Sequence, residues 1–256
     1  MTCMMITDDD RIEYFKETRD CTKYNKLLVT TVYTEEMLNN ISIKKFNREC
    51  NVILRSDSNT VDEILESDNN EYIAALNFAD GYTPGGLVLY GASTQEEDLC
   101  RSSNLYESLI EKQCDTKYYT YNNKFKHGKC SDRIIYTRDV TFFRNSDLEW
   151  LNDIDIRTCD IITCPAPVNG TATDEEIRQR MSNILKVAID NRVTKLILGC
   201  WGCGAFGNKW SEFSKLWLEV IDELEPNLTI IFATYGKGMS AESLYGGDAV
   251  NEYKNQ

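Results

Sequence analysis

EYIAALNFADGYTPGGLVLYGASTQEEDLCRSSNLY, residues 71–106, is the stretch whose reading decides the fold. Tyr72 to Phe78 is an apolar run of strand length. Gly81, Pro84, Gly85 and Gly86 punctuate a loop, and Thr94 to Glu97 open a helix. A glycine pair lets backbone amides come close to an anion, and the helix N-terminus beyond it adds partial positive charge, so the unit suits a phosphate. Glu96 and Glu97 would lie beside that cradle. The spacing has a second reading. Thr94-Gln95-Glu96-Glu97 fits a capping box, in which the glutamate bonds back to the residue that caps the helix, and Thr173-Asp174-Glu175-Glu176 repeats the pattern. The residues alone leave capping and catalysis open.

Working outward, the helix is expected to run from about Thr94 to Gln113. Upstream, residues 8–24 read as a helix of low amphipathicity, Lys26 to Tyr33 as a strand, and Asn51 to Arg55 as another. Asn59 and Thr60 begin a short helix with Val61, Ile64 and Leu65, and the segment before Cys50 has no clear pattern. Downstream, Tyr118, Tyr119, Tyr121, Phe125 and the single histidine, His127, show no period. They read as a surface excursion with a few aromatic anchors rather than a base-stacking platform, with His127 solvated beside Lys126 and Lys129. Arg133 to Tyr136 and Asp160 to Cys164 read as strands, the latter closed by Pro165 and Pro167. Ile177, Met181, Ile184, Leu185 and Ala188 share one helix face, and Lys195 to Gly199 is a buried strand. Trp210 to Leu224 is amphipathic, and Leu228 to Thr234 is a last strand. Alternating strands and helices predict an α/β fold with helices on both faces of the sheet. No repeat or low-complexity linker divides the chain, so residues 1–50 are expected as an N-terminal extension packed on a core formed by 51–256.

The chain has 256 residues, 42% of them apolar, with 28 Lys and Arg against 41 Asp and Glu for a net charge of −13. That balance argues against sequence-specific nucleic-acid binding, which leans on basic patches. A polyanionic ligand must then be held by local dipoles and a few cations. The ten cysteines are scattered, and no secretory apolar region stands at the N-terminus, so they are expected as reduced thiols. No apolar run approaches the roughly 20 residues needed to span a bilayer. The expectation is a soluble, intracellular monomer.

Gly202-Cys203-Gly204-Ala205-Phe206-Gly207 matches G-x-G-x-x-G between a strand and a helix. The rest of a dinucleotide fingerprint fails, because the next strand ends in Thr234 and Tyr235 without an acidic residue. Two glycine loops at strand ends can instead face one diphosphate. Cys200-Trp201-Gly202-Cys203 is a C-x-x-C, but no second pair completes a zinc site, so small residues in a turn are expected and no metal or other cofactor.

Asn77-Phe78-Ala79, Gly85-Gly86, Gln95-Glu96-Glu97 and Arg101-Ser102-Ser103-Asn104-Leu105-Tyr106 stand in the order found in microbial-type poly(ADP-ribose) glycohydrolases, a branch of the macrodomain superfamily. The resemblance resumes at Ile134-Ile135-Tyr136, Pro165-Ala166-Pro167 and Leu198 to Asn208, and covers roughly Asn51 to Thr234. It implies a macrodomain-like mixed sheet between helices and hydrolysis of the ribose–ribose bond of ADP-ribose chains. Glu97 stands at the position of the family's catalytic acid, with Glu96 on ribose hydroxyls. Asn77, Asp80, Gly85, Gly86, Leu87, Gln95, Gly202, Gly204, Ala205, Phe206, Gly207 and Asn208 are implied as ADP-ribose contacts. Phe206 corresponds to an aromatic that orders the distal ribose, and the amides of Gly85, Gly86, Gly204 and Gly207 would face the diphosphate. Two positions depart. The third glycine of the family loop is Leu87 here, which restricts the backbone, and the residue after Asn77-Phe78-Ala79, often Asn or Ser, is Asp80, whose charge repels a diphosphate unless it turns to ribose hydroxyls. Removal of single ADP-ribose units from protein or nucleic acid, and binding without turnover, are the alternatives.

Overall fold

In the computed structural model, residues 6–24, 26–43, 50–68 and 70–235 are described. Seven strands form one sheet: β1 (Val29–Tyr33), β2 (Asn51–Arg55), β3 (Ile73–Phe78), β4 (Ile134–Phe142), β5 (Arg157–Cys164), β6 (Lys195–Gly199) and β7 (Thr229–Ala233). Their spatial order is β1-β4-β5-β3-β6-β7-β2. The β1–β4 and β4–β5 pairs are antiparallel, while β5, β3, β6, β7 and β2 run parallel to one another. This is the expected mixed sheet. Parallel strands buried on both faces read as continuous apolar runs, which is why β3 and β6 were legible without alternation.

The pleat sends alternate side chains into two cores. Ala74, Leu76, Leu196 and Leu198 meet the helices α8 (Asp174–Asp190) and α9 (Trp210–Leu224) through Met181, Ile184, Trp217 and Val220. Ile73, Ala75, Ile161 and Ile197 face Phe15 of α1 (Asp8–Asp20), Ile64 of α3 (Thr60–Glu66) and Leu99 of α4 (Gln95–Ser102). From the first fifty residues, β1 supplies an edge of the sheet and α1 packs on α4, with α2 (Glu35–Asn40) following β1. Residues 44–49 of the unassigned stretch before Cys50 lie outside the described residues.

The long helix expected from Thr94 to Gln113 is broken. It ends at Ser102. Ser103 is extended and bridges Phe142, the Asn104 amide nitrogen donates to Tyr24 O (2.9 Å) and its oxygen accepts from Thr141 N (2.9 Å). A new helix, α5 (Leu105–Leu109), then starts. Tertiary hydrogen bonds at these two residues outcompete the next turn of helix. The aromatic stretch is more regular than expected: after α6 (Lys112–Cys114), Asp115–Tyr119 forms a π-helical turn that leads into α7 (Thr120–Asn122) and buries Tyr118 and Tyr119 as its anchors, while Thr120, Asn123, Lys124 and Lys126 stay exposed. His127 is exposed as expected, its ring 5.0 Å from that of Tyr82.

Because β5, β3, β6 and β7 are parallel neighbours, the loops after Cys164, Phe78, Gly199 and Ala233 all leave the same edge of the sheet. Ligands bind at such carboxyl-end edges of open α/β sheets.

Candidate active site

Glu96 and Glu97 open α4 and are 2% and 4% exposed. Oε1 of Glu96 accepts from the Asn77 amide nitrogen (3.1 Å) and Oε2 from Asp80 N (2.7 Å). Oε1 of Glu97 accepts from Leu87 N (2.8 Å), and its Oε2 from Thr94 N (3.2 Å) and the Thr94 hydroxyl. Both carboxylates press on the glycine loop. A Cβ at Gly86, where φ is +59°, would lie 2.5 Å from Glu97 Oε1 and 3.1 Å from Glu96 Oε2. At Gly85, φ +67°, it would lie 2.7 Å from the Tyr106 ring. The loop therefore sits on the carboxylates and on Tyr106, with no space for side chains on that side.

Burial pushes the Glu96 carboxyl well above the usual carboxylate range, helped by the charges of Glu97 and Asp80 and opposed by the bonds from Asp80 N and Asn77. Asp98, next in the helix, is also raised by burial and pairs with the buried Arg101 at 2.8 Å. Arg101 donates as well to Ala92 O (2.5 Å), which ties the body of α4 to the segment leading into it.

Several residues expected at a ligand turn out to be fasteners. The Gln95 side chain accepts from Phe78 N (2.8 Å) and donates to Leu76 O (2.7 Å), completing the hydrogen bonding of β3 at its end. Asn77 is fully buried and divides its amide nitrogen between Glu96 and Thr163. Asn208 bonds Pro167 O (2.8 Å) and Gly202 O (3.0 Å), closing the second glycine loop onto the Pro165–Pro167 turn. The amides of Gly86 and Gly207 close turns on Thr83 O and Gly204 O, so neither is available to an anion as expected. Gly204, Ala205 and Gly207 are exposed, and Phe206 is half-buried against the α8–α9 core.

The two departures have local explanations. Asp80 Oδ1 accepts from Tyr82 N (2.7 Å) and Thr83 N (3.1 Å), an Asx turn that Asn or Ser would also form, so one carboxylate oxygen is turned into the loop. Leu87 has φ −102°, comfortable for any residue, and its side chain is 52% exposed. It serves Glu97 through its amide.

A cavity of about 540 Å³ opens at the strand-end edge beside the ends of β3 and β7 and the start of α3, bounded by Asn59, Asp62, Phe78, Asp98, Cys200 and Thr234 among others; neither glycine loop lines it. The C-x-x-C stands at its side. Burial pushes the Cys200 and Cys203 thiols up to about 12, away from thiolate reactivity. Among the described residues, no group of three or more His, Cys, Asp or Glu side chains is placed to hold a metal ion.

The family of microbial-type PARG catalytic domains matches residues 9–145, more than half of the chain. The chain belongs to the microbial-type poly(ADP-ribose) glycohydrolase family. It is thereby a glycosidase. The solved poly(ADP-ribose) glycohydrolase from Deinococcus radiodurans in complex with ADP-ribose is 28% identical, with 84% of this chain and 90% of that chain covered and a TM-score of 0.72. The enzyme from Thermomonospora curvata bound to the inhibitor ADP-HPD is 23% identical, with 92% and 97% covered and a TM-score of 0.75, which speaks for the fold. No curated protein matches.

Sequence reasoning missed the supports of this candidate site. Arg180, on α8, donates to Lys129 O, Pro165 O and Cys130 O and pairs with Asp132, fastening two loops at once. Asn122, fully buried, donates to Gly81 O (2.8 Å) and accepts from Ser131 N (2.9 Å) and its hydroxyl (2.6 Å). Neither belongs to a motif. Thr94 alone was signalled, by the capping pattern.

Proposed function

We propose that the protein hydrolyses the ribose–ribose glycosidic bond of poly(ADP-ribose), with the substrate held along the strand-end edge between the two glycine loops and the Glu96–Glu97 pair at the scissile bond. The observation that supports this reading best is the pair itself. Two adjacent carboxylates are buried together at a helix N-terminus and pressed against a glycine whose Cβ would collide with them. A structural cap alone requires only one carboxylate, on the surface.

Glu97 is the member on the loop side. It gives a proton to the departing oxygen as the C1–O bond breaks, water adds to the oxocarbenium-like sugar, and the proton of that water returns to the carboxylate. Glu96 accepts from ribose hydroxyls, and burial, helped by the charges of Glu97 and Asp80, raises its own carboxyl above the usual carboxylate range. Backbone amides at Gly85 and Gly204 and the Phe206 ring hold the diphosphate and distal ribose, and the cavity beyond Phe78 receives the nucleoside. Release of ADP-ribose from poly(ADP-ribose) by the wild type, lost by at least about 10²-fold in Glu97→Gln, is the expected result. Release by Glu97→Gln at the wild-type rate would remove Glu97 from the mechanism. Wild-type turnover confined to singly modified proteins would replace the polymer as substrate.

A further inference from the structure

The segment packed against the site's first loop has charge opposite to that of the protein. Residues 116–131 contain Lys117, Lys124, Lys126 and Lys129 and no Asp or Glu, in a chain of net charge −13. Lys129 pairs with Glu176 at 2.6 Å. Lys117, Lys124 and Lys126 are exposed and, among the described residues, join no ion pair. Other exposed cations do meet carboxylates, as in Lys16–Glu13, Lys23–Asp153 and Lys209–Glu212, while Lys26, Lys112, Arg192 and Lys215 are exposed and join none of the described ion pairs; what distinguishes the strip is three such lysines within ten residues beside the site's loop.

The strip is fixed to the site. Asn122 holds Gly81 O, Gly128 N donates to the Tyr82 hydroxyl (2.9 Å), and that hydroxyl donates to Lys126 O (3.4 Å). Tyr82 is two residues from Asp80, whose amide is bonded to Glu96. Lys124 Nζ stands 4.6 Å over the Tyr121 ring, and the Arg133 guanidinium lies 3.2 Å from the same ring while bonded to Glu35. The lysines thus stand on a rigid rim one loop away from the carboxylates.

We propose that Lys117, Lys124 and Lys126 form a docking surface for the polyanionic ADP-ribose chain beyond the unit being cleaved. The proposal rests on the glycohydrolase reading. Each unit of such a chain has a diphosphate, and a protein with a large negative charge repels it unless cations stand where the chain passes. With a Debye length of about 8 Å at physiological salt, the local strip outweighs the distant acidic surface.

The test compares the wild type with Lys117→Glu/Lys124→Glu/Lys126→Glu, and with a control of equal charge change placed elsewhere, Lys16→Glu/Lys26→Glu/Lys215→Glu. Long poly(ADP-ribose) and the two-unit fragment are the substrates, over a series of NaCl concentrations. The rim variant is expected to raise KM for long chains by about tenfold, to leave kcat and the two-unit KM within about twofold, and to flatten the salt dependence of long-chain KM. The control should do none of this. An unchanged long-chain KM, or equal rises for both substrates, overturns the proposal. If the wild type cleaves neither substrate, the glycohydrolase reading fails by itself. Retention of long chains by the wild type against NaCl, lost in the rim variant, then still supports the surface, and equal retention still refutes it.

Discussion

Gly86→Ala tests whether the glycine loop is what holds the Glu96 and Glu97 carboxylates in place. The new Cβ would stand 2.5 Å from Glu97 Oε1, where ordinary contact begins at about 3.4 Å, so the carboxylate must retreat by about 0.9 Å. The tip of a glutamate usually yields cheaply. This one is pinned by Leu87 N and by the amide and hydroxyl of Thr94, and to retreat it must give up at least the Leu87 bond. The backbone adds its own cost, since φ at residue 86 is +59° and a side chain there costs about 1–2 kcal/mol. In a domain of this size that corresponds to a fall in Tm of roughly 5 °C. A misplacement approaching 1 Å at a reacting group lowers kcat by about 10²-fold. ADP-ribose release under saturating polymer, together with calorimetry, reads both effects. Gly85→Ala is the comparison, because its Cβ meets the Tyr106 ring instead of a carboxylate; it should lose stability with a smaller fall in kcat, any weakening of the Gly85 amide contact appearing in KM. If Gly86→Ala keeps wild-type kcat and Tm, the loop does not position Glu97 and the reasoning is wrong.

The pH dependence of stability should identify Glu96. Its folded pKa lies above the unfolded value, so its ionisation weighs against the fold, and stability is lost as pH rises from about 4.5 through the folded pKa. Glu96→Gln removes that loss, so its Tm advantage over the wild type should grow with pH across this window. A constant difference from pH 4.5 to 8 contradicts the assignment. Asp80→Asn keeps the Asx turn to Tyr82 N and Thr83 N and should retain activity within about threefold, whereas Asp80→Ala, having lost both bonds, should be less stable by about 1–2 kcal/mol in denaturant titration. Leu87→Gly keeps the amide that serves Glu97, so ADP-ribose release should change by less than about threefold with a loss of about 0.5–1 kcal/mol in stability. A large gain in turnover would show that the exposed side chain obstructs the substrate.

Elements set by period or by a continuous apolar run were legible from the chain. The strands Asn51–Arg55 and Lys195–Gly199 and the helix Trp210–Leu224 lie where the pattern puts them. What the pattern hides is decided at a distance. Ser103 and Asn104 leave the helix for partners on β4 and near Tyr24, and Tyr118 and Tyr119 are buried by a π-turn that shifts the helical register. In the site, residue identity was informative and direction was not. Gln95, Asn77 and Asn208 have the polar groups a ligand would want, and the structure spends them on Leu76, Phe78, Glu96, Pro167 and Gly202.

Capping and catalysis, the two readings of Thr94 to Glu97, are not alternatives here. The structure contains a control for this, because Thr173 to Glu176 has the same spacing and makes the same reciprocal bonds, with Thr173 N donating to Glu176 Oε2 at 2.9 Å. Glu176 is half-exposed, pairs with Lys129 and has its pKa lowered, first by that bond. Glu97 makes the cap while buried, beside a second carboxylate raised by desolvation, under a glycine that cannot be enlarged. The cap fixes the direction of the Glu97 carboxylate, and burial raises the proton affinity of its neighbour Glu96. One motif thus yields an ordinary helix start at residue 173 and a candidate acid at residue 97. The difference lies in what the sheet edge and the loop 80–86 bring against it.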